Sequence, residues 1–145
     1  MNNPKEKALT CFQNNFNCSQ SVLCALSHRT GLSEDASLKI ATAFGTGIAR
    51  NQLVCGAVTG ALMAIGLKHG MGLDSALENK KNTYNIANDF IDEFKVKHKS
   101  IVCLDLLGVD MNTPEGQKKF ERENLIVTKC GCFVADAAEI AEKYL

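Results

Sequence analysis

The chain has 145 residues, 46% hydrophobic and 22% charged, a balance that suits one globular domain with a single core and excludes wholesale disorder. Its sixteen basic and sixteen acidic side chains cancel, which argues against a nucleic-acid partner held by phosphate neutralisation. With no tryptophan and only 6% aromatics, a base-stacking platform is disfavoured as well.

The opening residues, Met1-Asn2-Asn3-Pro4-Lys5-Glu6-Lys7, have no apolar core of a secretory signal. The longest apolar stretch, Leu53 to Leu67, is interrupted by glycine and is too short to span a bilayer. The expectation is a cytoplasmic protein without membrane insertion, in a compartment that keeps thiols reduced. Seven cysteines are many for such a setting, and an odd number cannot all close into a disulfide framework. Metal or cluster ligation, thiol redox work and plain burial remain, and any one cysteine reads equally well as an inert buried thiol.

No segment reads as a strand. A first helix is predicted from Asn3, with Pro4 at its first position and Ala8, Leu9 and Phe12 on one face. After Asn14-Asn15-Phe16, Asn17 reads as an N-cap, and Gln20 three residues on completes a pattern close to a capping box. The second helix then runs from Cys18 to about Thr30, buries Val22, Leu23, Ala25 and Leu26, and stops at Gly31. Ser33 caps a third, with Glu34 and Asp35 in its first turn, ending in a flexible loop at Phe44-Gly45-Thr46-Gly47. A fourth, from about Val54 to His69, closely spaces Gly56, Ala57, Gly60, Ala61 and Ala64, with Gly66 beyond. Interior glycine costs about 1 kcal/mol against alanine, so this small-residue face needs close helix packing or a site to justify it.

Asp74 is positioned to cap a long fifth helix reaching about Lys97, with Tyr84, Ala87, Ile91 and Phe94 as its apolar stripe. Ser100 introduces a short helix from Ile101 to Leu107, closed by Gly108, and Thr113-Pro114-Glu115 starts another. The last, from about Cys130 to Tyr144, buries Phe133, Val134, Ala137, Ala138 and Ile140. No linker or repeat divides the chain, so residues 1–145 read as one all-α, compact multi-helix domain.

On this reading Cys18, Cys55 and Cys130 fall near helix N-termini, where free N–H groups and the dipole stabilise a thiolate or a metal-bound sulfur. Lys129 acts in the same direction on Cys130, and Cys103 lies in the short helix before Gly108. Cys11 and Cys24 fall within helices. The four helix-start and short-helix cysteines are dozens of residues apart, unlike the paired spacing of zinc sites or the compact runs of bacterial ferredoxins, so the fold would have to gather them.

Cys55-Gly56-Ala57-Val58-Thr59-Gly60 resembles the central motif of the C_GCAxxG_C_C family of redox-active proteins, although the order here is Cys-Gly-Ala where the family name has Gly-Cys-Ala. Phe16-Asn17-Cys18-Ser19-Gln20-Ser21-Val22-Leu23 resembles its N-C-S-Q-A-V-L segment, and Phe44-Gly45-Thr46-Gly47-Ile48 its glycine-bracketed loop. Cys103-Leu104-Asp105-Leu106-Leu107-Gly108 is similar to its C-x-x-L-L-G stretch, and Cys130 with Val134, Ala137 and Ala138 to its terminal helix. The resemblance implies four functional cysteines, Cys18, Cys55, Cys103 and Cys130, and a prosthetic group such as an iron–sulfur cluster. Gly131-Cys132 stands where the family usually has proline after its last cysteine, which leaves open whether Cys130 or Cys132 is the fourth.

Three functions compete. Four thiolates could hold a [2Fe–2S] or [4Fe–4S] cluster, with Gly56 and Gly60 giving it room and Thr59 donating to a sulfide or to its own helix. The same cysteines could instead exchange thiols and disulfides without a cofactor, although the C-x-x-C on a βαβ unit is missing. Zinc in a structural or scaffold role is the third, for which a core of this size has no need. His28, His69 and His98 sit beside basic residues and read as surface groups on helix-end carbonyls rather than ligands. Lys95-Val96-Lys97-His98-Lys99 reads as a solvated helix end. The expectation is an electron carrier, sensor or accessory protein working with a redox partner protein, with self-association left open.

Overall fold

Most of the helix boundaries follow from local capping chemistry. In the computed structural model, which describes residues 3–145, the Asn3 side chain accepts from the Glu6 N–H and Pro4 opens α1 (Pro4–Gln13). Asn17 and Gln20 form a full capping box at the head of α2 (Cys18–Ala25). The chain then steps at Leu26 into a single turn, α3 (Ser27–Thr30), which Gly31 closes at φ 77°. The expected continuous helix to Thr30 is therefore broken, with the N–H of Leu26 shared between the Val22 and Leu23 carbonyls. Ser33 caps α4 (Glu34–Ala41), which tightens into a 3₁₀ turn over Thr42–Phe44.

Residues 42–53 are not a loose loop. Thr46, Gly47, Ile48, Ala49 and Arg50 all have positive φ, and Gln52 follows at 51°. Backbone bonds hold this left-handed winding, from Ala49 N–H to Ala43 O, Arg50 N–H to Gly45 O and Leu53 N–H to Gly47 O. Such φ values are costly for residues with a Cβ and persist only where the surroundings fix them. At Gly47 a Cβ would lie 2.5 Å from the Leu53 nitrogen, so only glycine fits.

α5 (Gly56–His69) begins with Cys55 as its N-cap residue, two positions later than the expected start at Val54. Val54 instead pairs with Val102 in an isolated antiparallel bridge. α6 (Leu77–His98) starts after Ala76, so Asp74 is not its cap. Its buried stripe is Phe90 and Phe94, whereas Tyr84 is exposed. α7 (Cys103–Leu107) ends at Gly108, and Thr113 and Pro114 open α8 (Pro114–Arg122). A π-helical turn over Ile126–Cys130 runs directly into α9 (Gly131–Glu142).

The described residues are thus all-α. The core lies where α2, α5 and α9 meet, with Val22, Leu23, Leu26, Val58, Ile65, Phe90, Phe94 and Val134 fully out of solvent. Burial of each large apolar side chain contributes about 1.5–3 kcal/mol. Close packing of α5 on α2 explains the small-residue face. A Cβ on Gly60 would come within 2.6 Å of the Ser19 carbonyl oxygen, and one on Gly56 within 3.0 Å of the Ser19 nitrogen. Among the described residues no helix is long and apolar enough to cross a membrane.

Candidate functional site: four thiols on one cavity

Three backbone devices position the four thiols. The capping box fixes Cys18 as the first residue of α2. Beside the Val54–Val102 bridge, the Cys55 N–H donates to the Ile101 carbonyl at 2.7 Å and the Cys103 N–H to the Leu53 carbonyl at 2.6 Å. That clamp ties the start of α5 to the start of α7. The Gln52 side chain reinforces it, donating to the Val109 carbonyl at 2.9 Å and accepting from the Met111 N–H at 2.7 Å. Cys130 ends the π turn, whose extra residue per turn is closed by the Gly131 N–H on the Ile126 carbonyl. π turns inside helices recur at functional sites because they shift side-chain direction without ending the helix.

Cys18, Cys55, Cys103 and Cys130 line one cavity of about 570 Å³. Phe16, Met111 and Phe120 supply apolar wall, and Arg50 and Asn17 supply polar rim. Cys55 and Cys103 are buried, while Cys18 and Cys130 are half-buried. Hydrogen bonding from the neighbouring Cys18 thiol holds Cys130 below its ordinary value against its burial, and its own N–H and the ammonium of Lys129 add to this. The same interaction, with burial and the neighbouring sulfurs, holds Cys18 well above the ordinary value. Burial pushes Cys55 up to about 11, against the pull of the Ala57 and Val58 N–H groups. Burial, then the nearby Cys55 and Cys130, push Cys103 up to about 12. One low and one high thiol side by side can serve as a nucleophile and its proton-bearing partner.

Several positions differ from the sequence expectation. Cys130 does not open a helix, because the π turn precedes it, and its low value comes from the Cys18 bond first, then from its own N–H and Lys129. Cys103, by contrast, is the first residue of α7. Cys130 lines the cavity, whereas the exposed Cys132 points its thiol at the Thr128 carbonyl, 3.5 Å away. Gly56 lines the cavity and Gly60 packs on Ser19 outside it. The Thr59 hydroxyl donates to the Gly56 carbonyl of its own helix at 3.1 Å. His98 is not a surface group: it bonds Asp136 at 2.8 Å and packs between the Phe94 and Phe133 rings. His69 reaches the Tyr144 carbonyl of another segment at 2.6 Å. Lys97 in the basic run pairs with Asp136 at 3.5 Å. Arg50 and Gln52 had no sequence signal, since only the left-handed loop brings them to the site.

The four thiols have the chemistry of a cluster or zinc donor set. Their arrangement is not that of a formed metal site: among the described residues no three His, Cys, Asp or Glu side chains are grouped to hold a metal ion. Cys18 and Cys130 are in contact, as along one edge of a zinc tetrahedron or before a disulfide, but no third sulfur joins them.

The fold and cavity define a cysteine-rich, all-α protein with its thiols gathered from distant parts of the chain. Residues 16–144 match the sequence model of the C_GCAxxG_C_C family, described as "Putative redox-active protein", and the chain belongs to that family. No curated protein and no solved structure matches the chain.

Proposed function

We propose that the protein is a thiol–disulfide redox carrier that holds an electron pair on Cys18 and Cys130. The observation that carries this reading is the pairing of these two thiols on the wall of one cavity, with Cys130 held low and Cys18 held high. The Cys130 thiolate attacks one sulfur of an incoming disulfide, whose S–S bond breaks. The leaving thiolate takes the Cys18 proton, and the Cys18 thiolate then attacks the Cys130 sulfur and expels the second thiolate, which water protonates. Two protein thiols are oxidised to one disulfide, and the partner's disulfide is reduced to two thiols. Cys55 and Cys103 stay protonated near neutral pH and serve as the dry, uncharged floor of the cavity. A redox partner protein presenting a disulfide is the expected counterpart.

A second reading, an iron–sulfur centre, is favoured by the count of four sulfurs around one cavity with Gly56 leaving no side chain beside Cys18. Bound there, a cluster would supply one-electron chemistry, with Cys18, Cys55, Cys103 and Cys130 as its holders. Anaerobic purification followed by iron, zinc and acid-labile sulfide analysis, a visible spectrum and disulfide mapping separates the readings. The carrier reading expects uptake of one disulfide equivalent that joins the tryptic peptide 8–29, through Cys18, to the peptide 130–143. Stoichiometric iron and sulfide, lost in Cys55→Ser, would replace it with the cluster reading. Stoichiometric zinc without sulfide would leave a structural site.

A further inference from the structure

Two cysteines outside the cavity also meet. Cys11 on α1 and Cys24 on α2 are neighbours where the two helices pack closely, near enough for each sulfur to act on the other. Lys7, one helical turn before Cys11, lies close enough to both sulfurs for each to act on its ammonium, and it is paired with Glu34 at the start of α4. Cys11 is half-buried, so a small molecule can reach it, whereas Cys24 is 3% exposed and is reachable only from its neighbour. Burial pushes Cys24 up to about 12, so it carries its proton at neutral pH.

We propose that Cys11 and Cys24 form a second dithiol, independent of the carrier reading above, that closes into a disulfide between α1 and α2 by exchange with a low-molecular-weight disulfide. The Cys11 thiolate attacks the small disulfide, whose S–S bond breaks and releases one thiolate, which takes up a proton. Cys24 then attacks the Cys11 sulfur, breaks the mixed disulfide and expels the second thiolate, to which the Cys24 proton passes. The protein loses two thiols, and the small disulfide becomes two thiols. The segment enclosed by the bond contains Phe12, Phe16, Asn17 and Cys18, all on the wall of the four-thiol cavity. Closing it ties that wall across two helices, so this site acts as a latch on the first.

Trypsin places Cys11, Cys18 and Cys24 in one peptide, 8–29, apart from Cys130, which makes the test specific. Reduced full-length protein is incubated with oxidised glutathione, remaining thiols are alkylated, and peptides are mapped by mass spectrometry, with circular dichroism to confirm folding. In Cys18→Ser the expected result is peptide 8–29 two hydrogens lighter and without alkylation. Cys11→Ser is expected to lose closure within that peptide while still linking it to 130–143. Alkylation of both Cys11 and Cys24 in folded Cys18→Ser would overturn the proposal. So would stable glutathione on Cys11 with Cys24 alkylated. Absence of the 8–29 to 130–143 link in wild type, with closure intact in Cys18→Ser, would sink the carrier reading and support this one.

Discussion

Helix α2 carries a cysteine near each end, Cys18 and Cys24, both held above the ordinary thiol value, and at the Cys18 end the neighbouring sulfur, Cys130, is held low. Each sulfur faces another thiol, and a lysine stands beside each pair, Lys129 next to Cys130 and Lys7 close to Cys11 and Cys24. At the Cys18 end, the partner Cys130 is held low, and the Lys129 ammonium beside it rests on the Leu106 and Leu107 carbonyls, which are neutral. At the Cys24 end, Lys7 is already paired with Glu34, whose charge itself pushes Cys24 up. Lys7 still pulls Cys24 down, but burial outweighs it, whereas the bond from Cys18 outweighs the burial of Cys130, so burial and the hydrogen-bond partner decide which thiol is low and the lysine only adjusts it. Proximity to lysine is therefore a poor guide to a reactive cysteine without its burial and its hydrogen-bond partners.

The comparison breaks most completely at what the two ends share. Gly60→Val drives a side chain into the Ser19 carbonyl and separates α2 from α5, and the expected loss of about 3 kcal/mol in urea unfolding disturbs both thiol pairs together. Gly66→Ala on the same helix meets nothing within 4 Å and is expected to gain about 0.5–1 kcal/mol, which isolates packing from helix propensity. Alkaline titration gives a smaller effect that distinguishes the ends. Cys24, Cys55 and Cys103 have folded values above the ordinary 9.0, so their contribution is complete below pH 9 and is lost as pH rises toward 11–12. The urea midpoint is expected to fall across that window, less steeply in Cys24→Ala. Cys130 shifts the other way, and its contribution is lost as pH falls through its lowered value. The smallest effect sharpens the contrast: Lys129→Met is expected to slow alkylation of Cys130 near pH 8 several-fold and leave Cys11 unchanged. Unchanged alkylation of Cys130 would show that Lys129 does not lower it.

Where a structural decision is local, the sequence carried it. Asn3 with Pro4, Asn17 with Gln20, Ser33, Thr113 with Pro114, and Gly108 each stand at the helix end their chemistry predicts. The interior faces of α2 and α9 were equally readable from their spacing. The fold also brings the four resemblance cysteines to one cavity. What stayed hidden depends on rotation between helices or on backbone states with no residue signature. The Cys11–Cys24 contact is set by how α1 lies on α2, and the seat of His98 by how α6 meets α9. The π turn under Cys130 has no capping residue to announce it, and the left-handed winding at 46–50 has only Gly47 to hint at positive φ.

The chain separation within each thiol pair has a consequence for biosynthesis. Cys11 and Cys24 are neighbours in two adjoining helices and can meet as soon as residues up to the end of α2 have left the ribosome. Cys18 must wait for Cys130, on the turn that leads into the final helix, and Cys55 and Cys103 for the strand-like pairing of Val54 with Val102. Translation therefore completes the latch while the cavity still lacks most of its sulfurs, so a nascent chain meeting an oxidant early is steered toward the local pair.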